Sequence, residues 1–292
     1  MQTRPLGEKG PDVPIICLGT WPLGGGMGAI PENKAIATIH AGIDAGATFI
    51  DTAEGYRDSE ALLGKALTEH RNKVFLATKV SGEHTRSHIL LALENSLRAL
   101  RTDYIDLYQL HCPRPQPIAD TMAVLLEARD TGKIRYIGLS NFSADLTEKA
   151  INYGPIHSSQ PRYNLLHREA ERFILPCLAR NGIGAIVHSP LGKGILTGSY
   201  RPGHTFADDD ERSSHSVFDT DYVRRGSKAS EKRGLLMASG LITGEALMGI
   251  LVAVPIFITG EKYWWPNFSG FEYLGSALFL GVIIRLYKSV SK

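Results

Sequence analysis

Cysteine is scarce in this sequence, and neither sign of charge predominates. The 292 residues include three cysteines, Cys17, Cys112 and Cys177, which are far apart and lack the spacing of a metal site. A disulfide framework is therefore not expected, and we expect the three thiols to be reduced. The net charge of +2 does not indicate nucleic-acid binding, so no nucleic-acid partner is expected.

Two recognisable segments are also missing. The amino terminus begins Met1-Gln2-Thr3-Arg4-Pro5 without an apolar run, so no secretory signal is predicted and a cytoplasmic setting is expected for the first part of the chain. No G-x-G-x-x-G segment follows a predicted strand, and the common dinucleotide-binding fingerprint is therefore absent. The glycine-rich stretch at residues 24–28 lacks that spacing and is interpreted as a loop beside an active site.

What the sequence does have is a regular alternation of strand and helix patterns. After a predicted hairpin over residues 2–13, strands are predicted at 14–19, 47–51, 74–79, 104–110, 134–139, 157–163 and 184–188. Helices are predicted between them at 32–45, 59–70, 85–100, 117–131, 143–151 and 168–181. Parallel strands joined by crossover helices produce this rhythm, so we expect an α/β fold of the (β/α)8 barrel type.

The eighth strand of such a barrel is not evident where it is expected. Residues 189–226 are polar and rich in glycine, and they include the acidic run at 208–211. We interpret that run as a solvated loop, and no metal site is predicted because no other ligand pattern accompanies it. The sequence thus predicts a barrel truncated after its seventh strand, in a domain of residues 1–226.

Residues 227–292 differ in composition from the rest of the chain. They carry 7 basic and 4 acidic side chains, a net of +3, against 25 and 26, a net of −1, in residues 1–226. As a helix, residues 234–258 would span about 37 Å, enough to cross a hydrocarbon core of about 30 Å. With the second apolar run at 273–284, they predict two hydrophobic helices, a transmembrane hairpin over residues 234–286 that anchors the chain. A pair of buried helices completing the barrel is the alternative.

Four polar residues stand at or just after the ends of predicted strands. Asp51 ends the second strand and Tyr56 follows it, Lys79 ends the third, and His111 follows the fourth. Chemistry in a parallel barrel collects where the strands end, so we expect these four residues to share one site. Each has an ordinary structural explanation when taken alone, as a loop anchor, a solvated cation or a core histidine. Their order within the strand pattern favours catalysis.

These four side chains suit the reduction of a carbonyl group, which needs a hydride on carbon and a proton on oxygen. A tyrosine has an ordinary pKa of about 10, and a nearby lysine cation lowers it. We therefore predict Tyr56 as general acid, Lys79 as its modulator and Asp51 as the anchor that keeps the lysine charged. His111 is predicted to orient the carbonyl oxygen by a hydrogen bond.

Residues 2–225 resemble the aldo-keto reductase family. The resemblance is carried, in order, by Leu18-Gly19-Thr20-Trp21, the segment from Asp51 to Tyr56, Thr78-Lys79, Gln109-Leu110-His111, Gly138-Leu139-Ser140-Asn141-Phe142, Gln160 with Tyr163-Asn164, and Ser189-Pro190-Leu191-Gly192. It implies an enzyme that reduces a small aldehyde or ketone, with NADP(H) as the expected cofactor and NAD(H) as the alternative. It assigns the same roles to the four catalytic residues.

The resemblance also implies how a cofactor and a substrate are held. Ser140, Asn141 and Gln160 would bond the nicotinamide carboxamide, and Trp21 would wall the substrate pocket. The remaining residues predicted to contact the cofactor are Gly19, Thr20, His188, Ser189, Leu191 and Gly192. The chain departs from the family at His188, where a tyrosine is usual, and in lacking the expected loop for the adenosine 2′-phosphate.

The tail carries a second resemblance. Residues 229–258, with Ser239-Gly240-Leu241-Ile242 and Gly244-Glu245, resemble the end of an oligopeptide-transporter family protein. The chain would then be a fusion of a reductase with two transporter helices. Two alternatives to an active reductase stay open on the sequence alone: an inactive remnant, and a membrane component that carries the barrel as a passenger. The oligomeric state is not predicted.

Overall fold

A short antiparallel hairpin precedes the main sheet. In the computed structural model, which describes residues 1–200 and 204–213, β1 (Thr3–Pro5) pairs with β2 (Asp12–Pro14). The turn between them starts at Gly7, whose φ of +72° is in the left-handed region. A Cβ atom at Gly7 would lie 2.5 Å from the Gly182 carbonyl oxygen, so this close approach requires glycine. The predicted hairpin is confirmed.

Seven parallel strands form one sheet in the described part of the chain, each paired with its neighbours in sequence order. They are β3 (Cys17–Gly19), β4 (Phe49–Asp51), β5 (Phe75–Val80), β6 (Ile105–Leu110), β7 (Ile134–Ser140), β8 (Ser158–Gln160) and β9 (Gly184–Ala185). Strands that follow one another in both sequence and space are the arrangement of a (β/α) barrel. All seven predicted strands are confirmed, and several are shorter than predicted.

Helices connect the strands and cover the outer face of the sheet. They are α1 (Glu32–Asp44), α2 (Ser59–Ala66), α3 (Arg86–Leu100), α4 (Ile118–Asp130), α5 (Ala144–Ile151) and α6 (Ile174–Arg180). In α3, Ile89, Leu93 and Leu97 recur at helical spacing and are all buried. The aliphatic side chains of the helices and the sheet form one continuous core.

One predicted helix is divided. The sequence predicts a helix at 168–181, but a 3₁₀ turn at Glu169–Glu171 precedes α6. Pro176 explains the break, because its ring nitrogen cannot donate to the carbonyl four residues earlier. Starting the helix at Ile174 places Pro176 in the first turn, where that donor is not needed.

A smaller apolar cluster closes the amino end of the strands. Leu6 and Val13 of the hairpin pack with Phe49, Leu107 and Ile186. Because this apolar cluster fills the amino end, the polar side chains of the site lie at the carboxyl ends of the strands.

Residues 1–193 and 204–213 belong to one compact unit, and residues 194–200 belong to a second. A 3₁₀ segment at Gly192–Thr197 and another at Glu211–Ser213 complete the described elements. None of the helices in the described ranges is long and apolar enough to cross a membrane. The predicted tail at 227–292, with its hairpin at 234–286 and its transporter resemblance, lies outside the described residues.

Candidate active site

A buried ion pair lies at the carboxyl end of the sheet. Asp51 is the last residue of β4, and Lys79 lies one residue before the end of the neighbouring β5. The Lys79 ammonium donates to Asp51 Oδ2 at 2.5 Å and to the Thr52 carbonyl at 2.8 Å. Lys79 is 0% exposed and Asp51 is 6% exposed. Burial lowers the pKa of Lys79, but the charge of Asp51 and the contacts with Asp51 and Tyr56 raise it by more, so the lysine is charged at neutral pH.

The same ammonium contacts the predicted proton donor. Tyr56 lies in the turn between β4 and α2, and its hydroxyl is 3.3 Å from Lys79 Nζ. Burial raises the pKa of Tyr56 above its ordinary value, by more than the charge of Lys79 lowers it. The lysine acts with the predicted sign, but the expectation of a net decrease in the tyrosine pKa is wrong because burial outweighs it.

His111 follows β6 and faces Tyr56. The two ring centroids are 5.5 Å apart in an edge-to-face arrangement. His111 Nδ1 lies 2.8 Å from Ser81 Oγ. Burial, and then the charge of Lys79, lower the pKa of His111 to about 4, so the imidazole is neutral at physiological pH. The structure therefore brings the four predicted catalytic residues together.

Two buried amides hold the second oxygen of Asp51. Gln109 Nε2 donates to Asp51 Oδ1 at 2.9 Å, and Gln160 Nε2 donates to the same oxygen at 3.1 Å. No role for Gln109 is predicted from the sequence. Its signal was present, because an uncharged polar residue inside the fully buried strand β6 needs a polar partner.

The predicted carboxamide-binding residues lie at the ends of adjacent strands. Ser140 ends β7 and Gln160 ends β8, with the Ser140 hydroxyl 3.2 Å from the Gln160 carbonyl. Asn141 donates to the His111 carbonyl at 3.0 Å and to Ser140 Oγ at 3.1 Å. His188 Nε2 lies 2.9 Å from Asn141 Oδ1. Burial, and then Lys79, lower the pKa of His188 to about 4, so this ring is neutral as well.

The other residues predicted to contact the cofactor differ in how exposed they are. Ser189 follows His188 with a φ of +54°, and its carbonyl accepts from Asn164 and from Gly192. Leu191 is 55% exposed, and a Cβ atom at Gly19 would face open space. Thr20 is different, because it is 0% exposed and its hydroxyl bonds the Asp51 carbonyl. The Thr20 side chain therefore supports the end of β4.

Half of the acidic run at 208–211 packs against the protein: Asp208 and Asp209 are exposed, whereas Asp210 is buried and Glu211 is partly buried. The interpretation as a solvated loop is therefore wrong for Asp210 and Glu211 only. Glu211 Oε1 accepts from Trp21 Nε1 at 2.9 Å and from Lys193 Nζ at 2.7 Å. Asp210 is 5% exposed and pairs with Arg212. Trp21 in turn packs edge-to-face on Tyr56, with ring centroids 4.9 Å apart.

The fold and the site together define a class of protein: a (β/α) barrel protein whose strand ends carry an Asp–Tyr–Lys–His cluster. A sequence profile of the Aldo/keto reductase family matches residues 15–239, more than half of the chain, and the chain belongs to that family. The match extends beyond the domain boundary predicted at residue 226.

Individual relatives agree with this assignment. The chain is 41% identical over 233 residues to the aldo-keto reductase YhdN of Bacillus subtilis, covering 75% of this chain and 70% of that protein. It is 35% identical over 240 residues to the NADH-specific methylglyoxal reductase of Escherichia coli, covering 70% and 72%. Its structure is similar to the glycerol dehydrogenase AKR11B4 from Gluconobacter oxydans, with a TM-score of 0.71, 33% identity, and coverage of 82% and 78%.

Proposed function

We propose that this protein is an NAD(P)H-dependent reductase of aldehydes or ketones, with Tyr56 as the proton donor. One observation carries the proposal. The buried Lys79 ammonium contacts both the Asp51 carboxylate and the Tyr56 hydroxyl, at 2.5 Å and 3.3 Å. A cation fixed between a carboxylate and a phenol is an arrangement that assists proton transfer.

The proton comes from the phenol. The raised pKa of Tyr56 keeps the hydroxyl protonated at neutral pH, which is the form that a general acid needs. As the proton moves to the substrate oxygen, negative charge develops on Tyr56 Oη beside the lysine ammonium. Lys79 stabilises that charge, and Asp51 holds the lysine in place.

The substrate oxygen needs a second donor. His111 is neutral, so one ring nitrogen carries a hydrogen that can bond the carbonyl oxygen. Because negative charge grows on that oxygen during reduction, a fixed donor stabilises the transition state more than the ground state.

The residues at the ends of β7 and β8 suit a nicotinamide carboxamide. Ser140, Asn141 and Gln160 offer hydroxyl and amide groups, which both donate and accept, as a carboxamide does. When bound, the reduced nicotinamide supplies the hydride. The Escherichia coli relative is named as NADH-specific. Both NADPH and NADH therefore need to be tested, and we expect NADPH to be used.

Turnover by the full chain tests the proposal. Purified protein is incubated with 4-nitrobenzaldehyde and either NADPH or NADH, and the oxidation of the cofactor is followed by its absorbance. We expect aldehyde-dependent oxidation with at least one cofactor. If neither cofactor is oxidised while the protein is folded, the proposed activity is wrong.

We propose separately that residues 234–286 form a membrane hairpin derived from a transporter. Support comes from the sequence, which has one charge, Glu245, between residues 234 and 258. The aldo/keto reductase match ends at residue 239, inside that run, so residues 240–286 of the proposed hairpin lie outside the reductase match. Carbonate extraction of membranes tests the proposal, and a full chain that stays in the supernatant would contradict it.

A further inference from the structure

We propose that Ser81 is a positioning residue that holds His111 in the tautomer with its hydrogen on Nε2. The inference rests on the proposed function, because it explains how His111 keeps a donor directed at the substrate. Ser81 lies just after β5, two residues beyond Lys79. No role had been assigned to it from the sequence.

The hydrogen bonds of the Ser81 hydroxyl indicate which atom donates in its bond with His111. Ser81 Oγ accepts from the Gly55 backbone N–H at 3.1 Å and lies 2.8 Å from His111 Nδ1. A hydroxyl has one hydrogen to donate. Within the described residues, His111 Nδ1 is the acceptor that lies within reach of it. With Nδ1 accepting, a neutral imidazole carries its own hydrogen on Nε2.

The backbone of Ser81 is fixed from both sides. Its N–H donates to Glu54 Oε2 at 2.9 Å, and its carbonyl accepts from Arg114 Nη2 at 2.5 Å. Arg114 also donates to the Gly82 carbonyl at 2.9 Å. The backbone of Ser81 is therefore hydrogen-bonded to the loop after β4 and to the loop after β6, and these two loops carry Tyr56 and His111.

Gly55 allows the hydroxyl to approach this closely. A Cβ atom at Gly55 would lie 2.9 Å from Ser81 Oγ and 3.2 Å from Ser81 Cβ. The absence of a side chain at Gly55 lets its N–H reach the hydroxyl. Gly55 immediately precedes Tyr56, so the same short segment supplies the proton donor and helps to orient the serine.

Without Ser81, nothing in the described contacts of His111 Nδ1 selects one neutral tautomer. The Nδ1–H form would direct a lone pair at the substrate oxygen in place of a hydrogen, and such a molecule lacks the second donor. A wrong histidine tautomer is known to reduce catalysis strongly in enzymes that depend on it. We expect a partial effect here, since both tautomers would be populated.

The tautomer can be observed directly by ¹⁵N NMR of the full chain labelled at histidine. We expect the wild-type His111 signals to show hydrogen on Nε2, and Ser81→Ala to shift them toward a mixture of tautomers. Ser87→Ala, an exposed serine in the first turn of α3, is the matched control and should leave the His111 signals unchanged. A wild-type Nδ1–H form, or His111 signals that Ser81→Ala does not change, would overturn the proposal.

Kinetics tests whether Ser81 acts through His111. We expect Ser81→Ala to lower kcat about tenfold, less than the roughly 10²–10³-fold loss typical of a deleted oxyanion donor. In a His111→Ala background the same change should have almost no further effect. Equal losses in both backgrounds would contradict the proposal. The NMR result does not depend on turnover, so an inactive wild type with the Nε2–H tautomer would refute the proposed function alone.

Discussion

The parallel sheet buries one aspartate at each end of its strands. At the amino end, Asp106 of β6 is 3% exposed and pairs with Arg71 at 2.9 Å and with Arg135 at 2.8 Å. At the carboxyl end, Asp51 is 6% exposed and pairs with Lys79. Both carboxylates also accept a further N–H donor, from the Leu76 backbone for Asp106 and from Gln109 for Asp51.

The two buried aspartates differ in the cations that pair with them. The two arginines at the amino end stack on the Tyr104 ring, at 4.1 Å and 3.9 Å from its centroid, and the Arg135 side chain is 54% exposed. Lys79 has no exposed surface and uses its third contact on the Tyr56 hydroxyl. Arginines paired in this way can join elements of the fold, whereas a buried lysine beside a titratable hydroxyl can influence its proton.

Removing the lysine should have the largest effect on stability. Lys79→Met leaves Asp51 buried without its cation, and we expect a loss of stability of roughly 3–5 kcal/mol. Turnover should fall by about 10² or more, because Tyr56 loses the charge that stabilises its phenolate. Urea denaturation and initial rates measure the two effects. Lys65→Met, whose side chain is 44% exposed, is the control and should change stability by less than about 1 kcal/mol.

Removing the amino-end carboxylate should affect stability alone. Asp106→Asn breaks two ion pairs, but Arg135 is half exposed and can be solvated. We expect a loss of about 2–3 kcal/mol, near the lower limit for breaking a buried pair. The kcat of the folded protein should stay within about twofold of the wild type. A loss of kcat comparable to that of Lys79→Met would show that the two ends do not divide their roles as described.

Acid should weaken the carboxyl end first. His84, His111 and His188 lie in loops after β5, β6 and β9, and each has its pKa lowered from 6.5 to about 4, chiefly by burial. A depressed pKa gives stability that is fully present above pH 6.5 and is lost as the pH falls toward about 4. We expect the free energy of unfolding to decrease already between pH 6.5 and about 5, where carboxylates are still mostly ionised.

Replacing one of these histidines should reduce that pH dependence. His84 is 3% exposed and lies outside the four-residue site. The slope of unfolding free energy against pH is proportional to the number of protons taken up on unfolding, and His84→Asn should lower that number by up to one. Urea denaturation at several pH values measures the slope. Stability that is constant over this range would contradict the assignment of neutral histidines.

The strands and most helices could be predicted because each is a local pattern. Short apolar runs predict the seven strands, and the spacing of Ile89, Leu93 and Leu97 predicts α3. The division of the helix at 168–181 was also open to prediction, since Pro176 is visible in the sequence. The four catalytic candidates were predicted as one site because the ends of parallel strands meet at one edge.

Contacts between distant residues could not be read from local patterns. Glu211 lies 190 residues from the Trp21 indole that donates to it, and nothing in the acidic run indicates that partner. The hydrogen bond between Ser81 and His111 spans 30 residues and depends on how two loops are clamped. The pKa of Tyr56 depends on the extent of its burial, which the sequence does not give.

The most direct test compares two tyrosine variants in the reduction of 4-nitrobenzaldehyde. Tyr56→Phe removes the hydroxyl beside Lys79, whereas Tyr153→Phe removes one from a residue that is 48% exposed. We expect Tyr56→Phe to lower kcat by about 10²–10⁴, the contribution of a positioned general acid, and Tyr153→Phe to match the wild type. A folded Tyr56→Phe variant that reduces the aldehyde at the wild-type rate would contradict the account.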